Sequence, residues 1–550
     1  MPSMPSPEIE ISPLGGVGEF GKNALVVRYN GDAIVVDAGI SFPDESMPGI
    51  DRISPDFSPL ARENVVGIFL THGHEDHIGA LSFLLEETRA KVYATAFTRA
   101  LSERRLAEEG VRASFETAEF GRGIEAGAFT VTLLPVSHSV PQSAALLIEA
   151  GGRRVFHTGD FKIDADSPPG EGTDLEDLAR RARGCDLLLL DSTNADRPGE
   201  CGSERLAREG VTAEIAGAGA RVILTTFSSH VVRVAGALEA ARASGRRSAV
   251  FGKSLREILD IGERFGYATL PADFLTRREG VGDIPRNRLF VLCAGSQGEP
   301  LSALSRLAGA HDPDLPLEPG DRVIFSSRTI PGRERAVSRV VDQLLHRGAT
   351  VARGEAPGRL LHVSGHAFRG DLHRLVRALE PRAVLPVHGE RQALAECGAM
   401  AREAGVDAGR VFLTENGDSL FLGEELRVMK GLRGAGCFYL DASTGARLTA
   451  SMLRERRLLA SDGVLAVSLA IEDRTCRIEV GSKGLAVGGK DFAAELEHEV
   501  RLVFTQSTKK ERQEAEMLRE KIETGLRRYI RRTYGFRPLI VVLISTVVKT

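Results

Sequence analysis

Short apolar runs separated by turn-forming clusters fill the first 200 positions of the chain. Residues 24–29, 33–37, 65–70, 91–94, 129–134, 144–149, 154–157 and 186–190 are rich in aliphatic residues. Gly, Asn, Asp and Pro flank them, and each run predicts a strand. From about 205 to 355 the texture changes. Residues 221–227, 248–251, 289–293 and 322–326 read as strands, while 231–243, 255–265 and 334–346 carry helical periodicity. Strand–helix–strand order with apolar strands predicts a parallel α/β sheet. Past 450 the pattern changes again. A charged helix is expected over 508–532, with Met517, Ile522, Leu526 and Ile530 at helical spacing, then Pro538 and a β-rich stretch over 539–548. Four segments result: 1–205, 206–355, 356–445 and a small α+β domain over 446–550.

One loop stands out chemically. Residues 71–77 read Thr-His-Gly-His-Glu-Asp-His, placing His72, His74, Asp76 and His77 between a predicted strand and the start of a helical pattern. Imidazoles with a carboxylate suit zinc or manganese in a hydrolytic site that keeps an open coordination position. The run resembles the signature of the metallo-β-lactamase fold, which implies further ligands downstream. His138, Asp160 and His388 each follow a predicted strand, as a site along one sheet edge requires. His157, inside such a strand, reads as structural. Seven ligands imply two divalent ions, zinc as first choice and manganese as the alternative, with Asp160 between them. Such a pair can clamp the attacking and leaving oxygens of an in-line displacement at phosphorus. Because His388 lies after the parallel α/β block, that block is an insertion into the metal-bearing domain.

Composition narrows the class. The 550 residues suit three to four domains, and 42% hydrophobic with 27% charged content is ordinary for globular chains. A net charge of −4 leaves nucleic-acid binding to local basic patches. The six cysteines form no C-x-x-C pair, which argues against a disulfide framework or zinc finger and for a reducing cytoplasm. Neither a signal peptide nor a membrane-spanning stretch is expected. Gly15-Gly16-Val17-Gly18 lacks the spacing of a phosphate loop and reads as a tight turn.

The insertion resembles that of the β-CASP nucleases. Gly-Gly-Val-Gly-Glu-Phe-Gly-Lys-Asn (15–23), Asp-Ser-Thr-Asn (191–194), Gly-Ser-Gln-Gly-Glu-Pro (295–300), His-Val-Ser-Gly-His-Ala (362–367) and Pro-Val-His-Gly-Glu (386–390) resemble the bacterial ribonuclease J family. The fold implied is a metallo-β-lactamase αββα sandwich over 1–205 and 356–445. A parallel α/β β-CASP domain is inserted at 206–355, and an α+β domain forms the C-terminus. The resemblance implies RNA hydrolysis, both 5′-to-3′ from a 5′ monophosphate and internally, in RNA decay and maturation. It gives Asp191 the family's acidic position and His366 its histidine position.

The turn His362, Val363, Ser364, Gly365 and His366 suits a phosphate nest, with His366 as proton donor and Asp191 orienting it. Ser229 and His230 are expected to touch phosphate or base, with helix capping by serine as the alternative. Two positions depart from the family pattern: Val232 replaces a second histidine, and Gln142 replaces an aspartate, an expected change in tuning around the metals. Expected partners are single-stranded RNA, further copies forming a homodimer or homotetramer, and RNA-decay proteins. A small-molecule hydrolase (thioesterase or lactonase) shares the ligands but needs neither the insertion nor the 362–366 turn. A silent RNA-binding subunit would be expected to lose ligands.

Overall fold

In the computed structural model, residues 8–546 are described except positions 45, 169, 272–273, 275–279, 313–314, 331, 357–358, 473–474 and 488–489. Two compact units form: one from the residues up to 42 with 53–437, the other from 43–52 with 438 onward.

The first unit holds two facing sheets. One has eight strands, in the order Leu426–Met429, Ser419–Leu422, Ile9–Gly15, Ala24–Tyr29, Asp32–Val36, Asn64–Phe69, Val92–Ala94, Phe115–Thr117. The other has six: Val384–Val387, Leu187–Asp191, Arg153–His157, Ala144–Ala150, Phe129–Pro135, Gly123–Ala126. Period-two alternation assigns the faces. Val27, Ile34, Val36, Leu187 and Leu189 meet in the core between the sheets. Val26, Val35 and Ile68 face the helices Leu81–Glu87 and Ala96–Glu108 on one outside. Leu188 and Leu190 face Leu178, Leu372, Leu375 and Met400 on the other. This is the αββα sandwich. Leucine thus occupies both faces of Leu187–Asp191, and each fully buried leucine contributes about 1.5–3 kcal/mol to the core it enters.

The insertion is a five-stranded sheet, ordered Arg247–Phe251, Leu289–Cys293, Val222–Thr225, Arg322–Phe325, Thr350–Arg353, with every pairing parallel. Separate apolar cores cover its two faces, so its strands read as nearly continuous apolar runs. Helix Glu204–Gly217 belongs with it, since Val211 and Ile215 lie in one of these cores.

The second unit has a three-stranded sheet ordered Thr475–Lys483, Val464–Glu472, Leu539–Thr546, under helices Lys490–Gln506 and Ala515–Tyr534. Two expectations need correction. The charged helix is broken at Glu514, between Lys509–Gln513 and Ala515–Tyr534. Its buried stripe is Leu518, Ile522, Leu526 and Ile530, an unbroken i, i+4 series, while Met517 is exposed. Of the β-rich 539–548, Val547 and Val548 lie outside the described residues. Among the described residues, no helix is long and apolar enough to cross a membrane.

Glu10 ties the first strand to the far end of the same domain. Its carboxylate accepts hydrogen bonds from Ser419 at 2.7 Å and from Arg433 at 2.6 and 2.7 Å. Burial opposes its ionisation, but Arg433, Ser419 and Arg28 outweigh that and hold its pKa at about 2 against an ordinary 4.5. The folded value is the lower one, so the stabilisation is complete above about pH 4.5 and is lost as pH falls toward 2. Glu10→Gln should cost about 1–2 kcal/mol at pH 7, a charged-hydrogen-bond value reduced because Arg433 is partly exposed. Thermal melts of both proteins from pH 7 to pH 3 should show that difference shrinking on the acid side.

Candidate metal centre

Strands Phe129–Pro135, Arg153–His157, Leu187–Asp191 and Val384–Val387 run in one direction within the six-stranded sheet. Their C-terminal ends therefore share one edge and deliver His138, Asp160, Asp191 and His388 there. The opposite sheet supplies the rest through Asn64–Phe69, which leads into Thr71 and His72. His74 is the N-cap of the short helix Glu75–Ile78, which carries Asp76 and His77.

Two donor sets result: His72, His74, His138 with Asp160, and Asp76, His77, His388 with the same Asp160. In the first, His72 Nε2 and His138 Nε2 lie 3.0 and 3.2 Å from His74 Nδ1. The single oxygen Asp160 Oδ2 lies 3.5 Å from His72 Nε2 and 3.9 Å from His138 Nε2. It also lies 3.2 Å from His77 Nε2 and 3.4 Å from His388 Nε2, and Asp76 Oδ2 is 3.4 Å from His388 Nε2. A tetrahedral ion with bonds of about 2.0–2.1 Å needs its donors roughly 3.3–3.4 Å apart. The donor sets fit divalent ions in chemistry and in spacing.

Each histidine of the two donor sets has its other ring nitrogen held, which fixes the ring and selects the nitrogen that a metal could use. Thr71 Oγ1 is 3.0 Å from His72 Nδ1, Asp37 Oδ2 is 2.7 Å from His77 Nδ1, and Thr193 Oγ1 is 2.5 Å from His388 Nδ1. His138 Nδ1 donates to the Gly365 carbonyl at 2.7 Å. A Cβ at Gly365 would stand 2.7 Å from His138, so only glycine allows that approach. Ser229 Oγ, from the insertion, is 3.0 Å from His74 Nε2. Asn23, at the end of the glycine-rich stretch, reaches His77 Nε2 at 3.1 Å. That stretch does turn, with positive φ at Gly16 and Gly18, and Val17–Gly18 pairs with Gly389–Glu390 beside His388. Asp37 and His388 both hold left-handed backbone, φ 62° and 54°, a strain found at functional sites.

Electrostatics divides the rings. Burial, reinforced by neighbouring imidazoles, pushes His72 and His138 well below the usual histidine range, and burial takes His74 down to about 4. Neutral imidazole is the form that binds metal. Burial would also lower His77 and His388, but Asp160 together with Asp76 and Asp37 at His77, and together with Asp191 and Asp76 at His388, outweighs it and raises both. His366 Nδ1 sits 2.9 Å from Asp191 Oδ2, and there Asp191 and Asp160 overcome burial and raise the imidazole.

The remaining expected residues are placed as follows. His230 is buried, its ring stacked 6.1 Å from that of His362. It is the N-cap of helix Val231–Ala243 without any side-chain cap bond, so serine capping does not occur there. His362, Val363 and Ser364 are buried, and Arg233 holds His362 Nδ1 at 2.6 Å and the Val363 carbonyl at 3.2 Å. Ser364 Oγ accepts from Asn194 at 2.9 Å and from the His366 N–H at 3.0 Å. His157 accepts from the Gly159 N–H, and burial keeps it neutral with a pKa of about 4.

Comparison with known proteins places this geometry. Family profiles match in chain order: Beta-lactamase superfamily domain at 32–251, Ribonuclease J beta-CASP domain at 219–344, Zn-dependent metallo-hydrolase RNA specificity domain at 358–410, and Ribonuclease J C-terminal domain at 451–547. Ribonuclease J of Thermus thermophilus is 34% identical over 549 residues, covering 98% of this chain and 95% of that one. The chain belongs to the ribonuclease J family. Ribonuclease J of Corynebacterium glutamicum is also 34% identical, over 90% of this chain and 70% of its own length. A crystal structure of a protein of unknown function from Enterococcus faecalis V583 covers 76% of the chain and 100% of its own, with TM-score 0.53 and 16% identity, a likeness of fold alone. Against the ribonuclease J pattern, Val232 is partly exposed, and Gln142 bonds away from the metal ligands, to Phe97 and Tyr267.

Proposed function

We propose that the chain is a two-metal ribonuclease that removes nucleotides from the 5′ end of single-stranded RNA, prefers a 5′ monophosphate, and also cuts internally. The observation that carries this is one oxygen, Asp160 Oδ2, lying between two complete donor sets in a member of the ribonuclease J family. His72, His74 and His138 would hold one ion and Asp76, His77 and His388 the other, with Asp160 shared. Zinc is the first choice, because imidazole-rich tetrahedral sets suit it, and manganese is the alternative. When bound, such a pair polarises a phosphoryl oxygen and lowers the pKa of water.

The chain's own residues do the rest. His366 holds a proton on Nε2 while Asp191 accepts from Nδ1–H, so the ring is oriented and charged for donation to the leaving 3′ oxygen. Asp191 remains its partner when metal neutralises Asp160. The backbone of Ser364, Gly365 and His366, braced by Arg233 and Asn194, is the surface for the scissile or terminal phosphate, beside Ser229 and His230 at the insertion's edge. The domain limits 1–205, 206–355, 356–445 and 446–550, and a cytoplasmic location, belong to the same proposal.

The test is one RNA carrying either a 5′ monophosphate or a 5′ triphosphate, labelled at that end. Labelled mononucleotide should appear early from the monophosphate form alone. Equal rates on both forms would remove the end preference. The C-terminal unit, with a sheet edge at Leu539–Thr546, is proposed to serve assembly into a homodimer or homotetramer and contact with RNA-decay proteins. Truncation near residue 450 should lower the mass in light scattering, and an unchanged mass would reject that role.

A further inference from the structure

Gln142 lies four residues after His138 and holds left-handed backbone, φ 56°. Both ends of its side-chain amide are engaged. Oε1 accepts from the Phe97 N–H at 2.9 Å, in the first turn of helix Ala96–Glu108, whose N-cap Thr95 makes no side-chain cap bond. Nε2 donates to the Tyr267 hydroxyl at 3.0 Å. Tyr267 belongs to the insertion, just past helix Lys253–Arg264. Its hydroxyl donates to Glu171, whose other oxygen accepts from the Gln142 N–H at 3.2 Å. The three residues form a closed hydrogen-bonded ring that joins the insertion to the loop carrying His138. A carboxylate at 142 would still accept from Phe97 but has no proton for Tyr267, and it would face Glu171 with like charge.

Around this ring the two parts also share apolar contact. Phe97 meets Phe265 and Tyr267 edge-on at 5.6 and 5.3 Å. Val231, Ile258 and Ile261 of the insertion lie in one core with Phe97 and Leu101. Ser229 Oγ lies 3.0 Å from His74 Nε2, and Arg328 of the insertion donates to Asn194 Oδ1 at 2.7 Å. The insertion thus rests against the residues of the metal centre.

We propose that Gln142 and Tyr267 are positioning residues, a latch that holds the insertion closed and so restricts the site to single strands, which need the smaller opening. Apolar contact is non-directional and tolerates small displacement, whereas the amide–hydroxyl bond is lost within about an ångström. The latch thus sets the width of the gap together with the Arg104–Glu257 ion pair, 2.9 Å long, which joins the same two helices. Its effect on RNA choice rests on the nuclease reading above.

The test uses the full chain with Cys437 and Cys476 replaced by serine, the other four cysteines being buried. Nitroxide labels go on Leu345→Cys in the insertion and Leu413→Cys in the metal-bearing part, positions 51% and 46% exposed. Tyr267→Phe and Gln142→Glu should each shift the spin–spin distance distribution to longer separations, and the double variant should go no further than either. Gln142→Glu keeps the acceptor for Phe97, so its effect reads the latch and not the helix cap. The rate on an RNA with a base-paired 5′ end, relative to a single-stranded one, should rise about 5–20-fold in all three, the size expected for one or two buried hydrogen bonds. Unchanged distances overturn the latch. Longer distances with an unchanged RNA ratio overturn its role in strand selection. A wild-type protein that cuts no RNA would count against the nuclease reading instead, and the distances would still decide the latch.

Discussion

Asp160→Ala should abolish RNA hydrolysis and remove both metal ions together. Asp160 Oδ2 is the one donor common to the two sets, and the histidines around it differ in what they lose. His77 and His388 are held above the usual histidine range chiefly by this carboxylate working against burial. Without it both rings keep their second-nitrogen partners, Asp37 and Thr193, but no anion remains between the sets to offset two dications. Bringing such charges within a few ångströms without a bridging anion is costly in a buried site. The expected result is turnover below about 10⁻⁴ of wild type, with metal near background by elemental analysis. His74→Ala, by contrast, should empty mainly the set it shares with His72 and His138. An Asp160→Ala protein that retains two ions would show that the carboxylate is not the bridge.

The second large effect belongs to His366. Its ring is 20% exposed, its Nδ1 is held by Asp191, and its Nε2 lies 3.9 Å from Asp160 Oδ2. His366→Ala should retain both ions while slowing turnover by about 10²–10⁴-fold, the usual worth of a general acid. The structure gives this prediction a sharp alternative, because Asp160, Asp191, His366 and His388 also form a donor group. Loss of one ion in His366→Ala would make the histidine a ligand and reassign the proton donor. An RNA whose leaving 3′ oxygen is replaced by sulfur needs no protonation, and should recover most of the lost rate only if His366 is the acid.

Much of this donor cluster was readable in the chain because its residues follow strand ends and four of them lie within six positions. Strand runs such as 65–70 and 154–157 came out within one residue of Asn64–Phe69 and Arg153–His157, since buried strands have short, dense apolar signals. What could not be read depends on tertiary approach. Nothing near Asp37, Thr71 or Thr193 marks them as partners of the clustered histidines, although an Asp ending an apolar strand at 37 was a weak sign. His74 offers Nδ1 where its neighbours offer Nε2, because its Nε2 is held by Ser229, 155 positions away, and by Ser139. Gln142 was expected to tune the metals and instead bonds toward the insertion, because its left-handed backbone turns the side chain onto Phe97 and Tyr267. In the second unit, the periodic run past 508 was assigned to Met517 when Leu518 completes the stripe. One residue is 100° on a helix, enough to exchange a buried position for an exposed one.

Titrating zinc into chelator-stripped protein while following cleavage of 5′-monophosphorylated RNA tests the central claim most directly. Cleavage should be absent at the start and should climb to a plateau at two equivalents per chain. Cleavage that persists in the stripped protein, or a plateau at one equivalent, would contradict a two-metal ribonuclease.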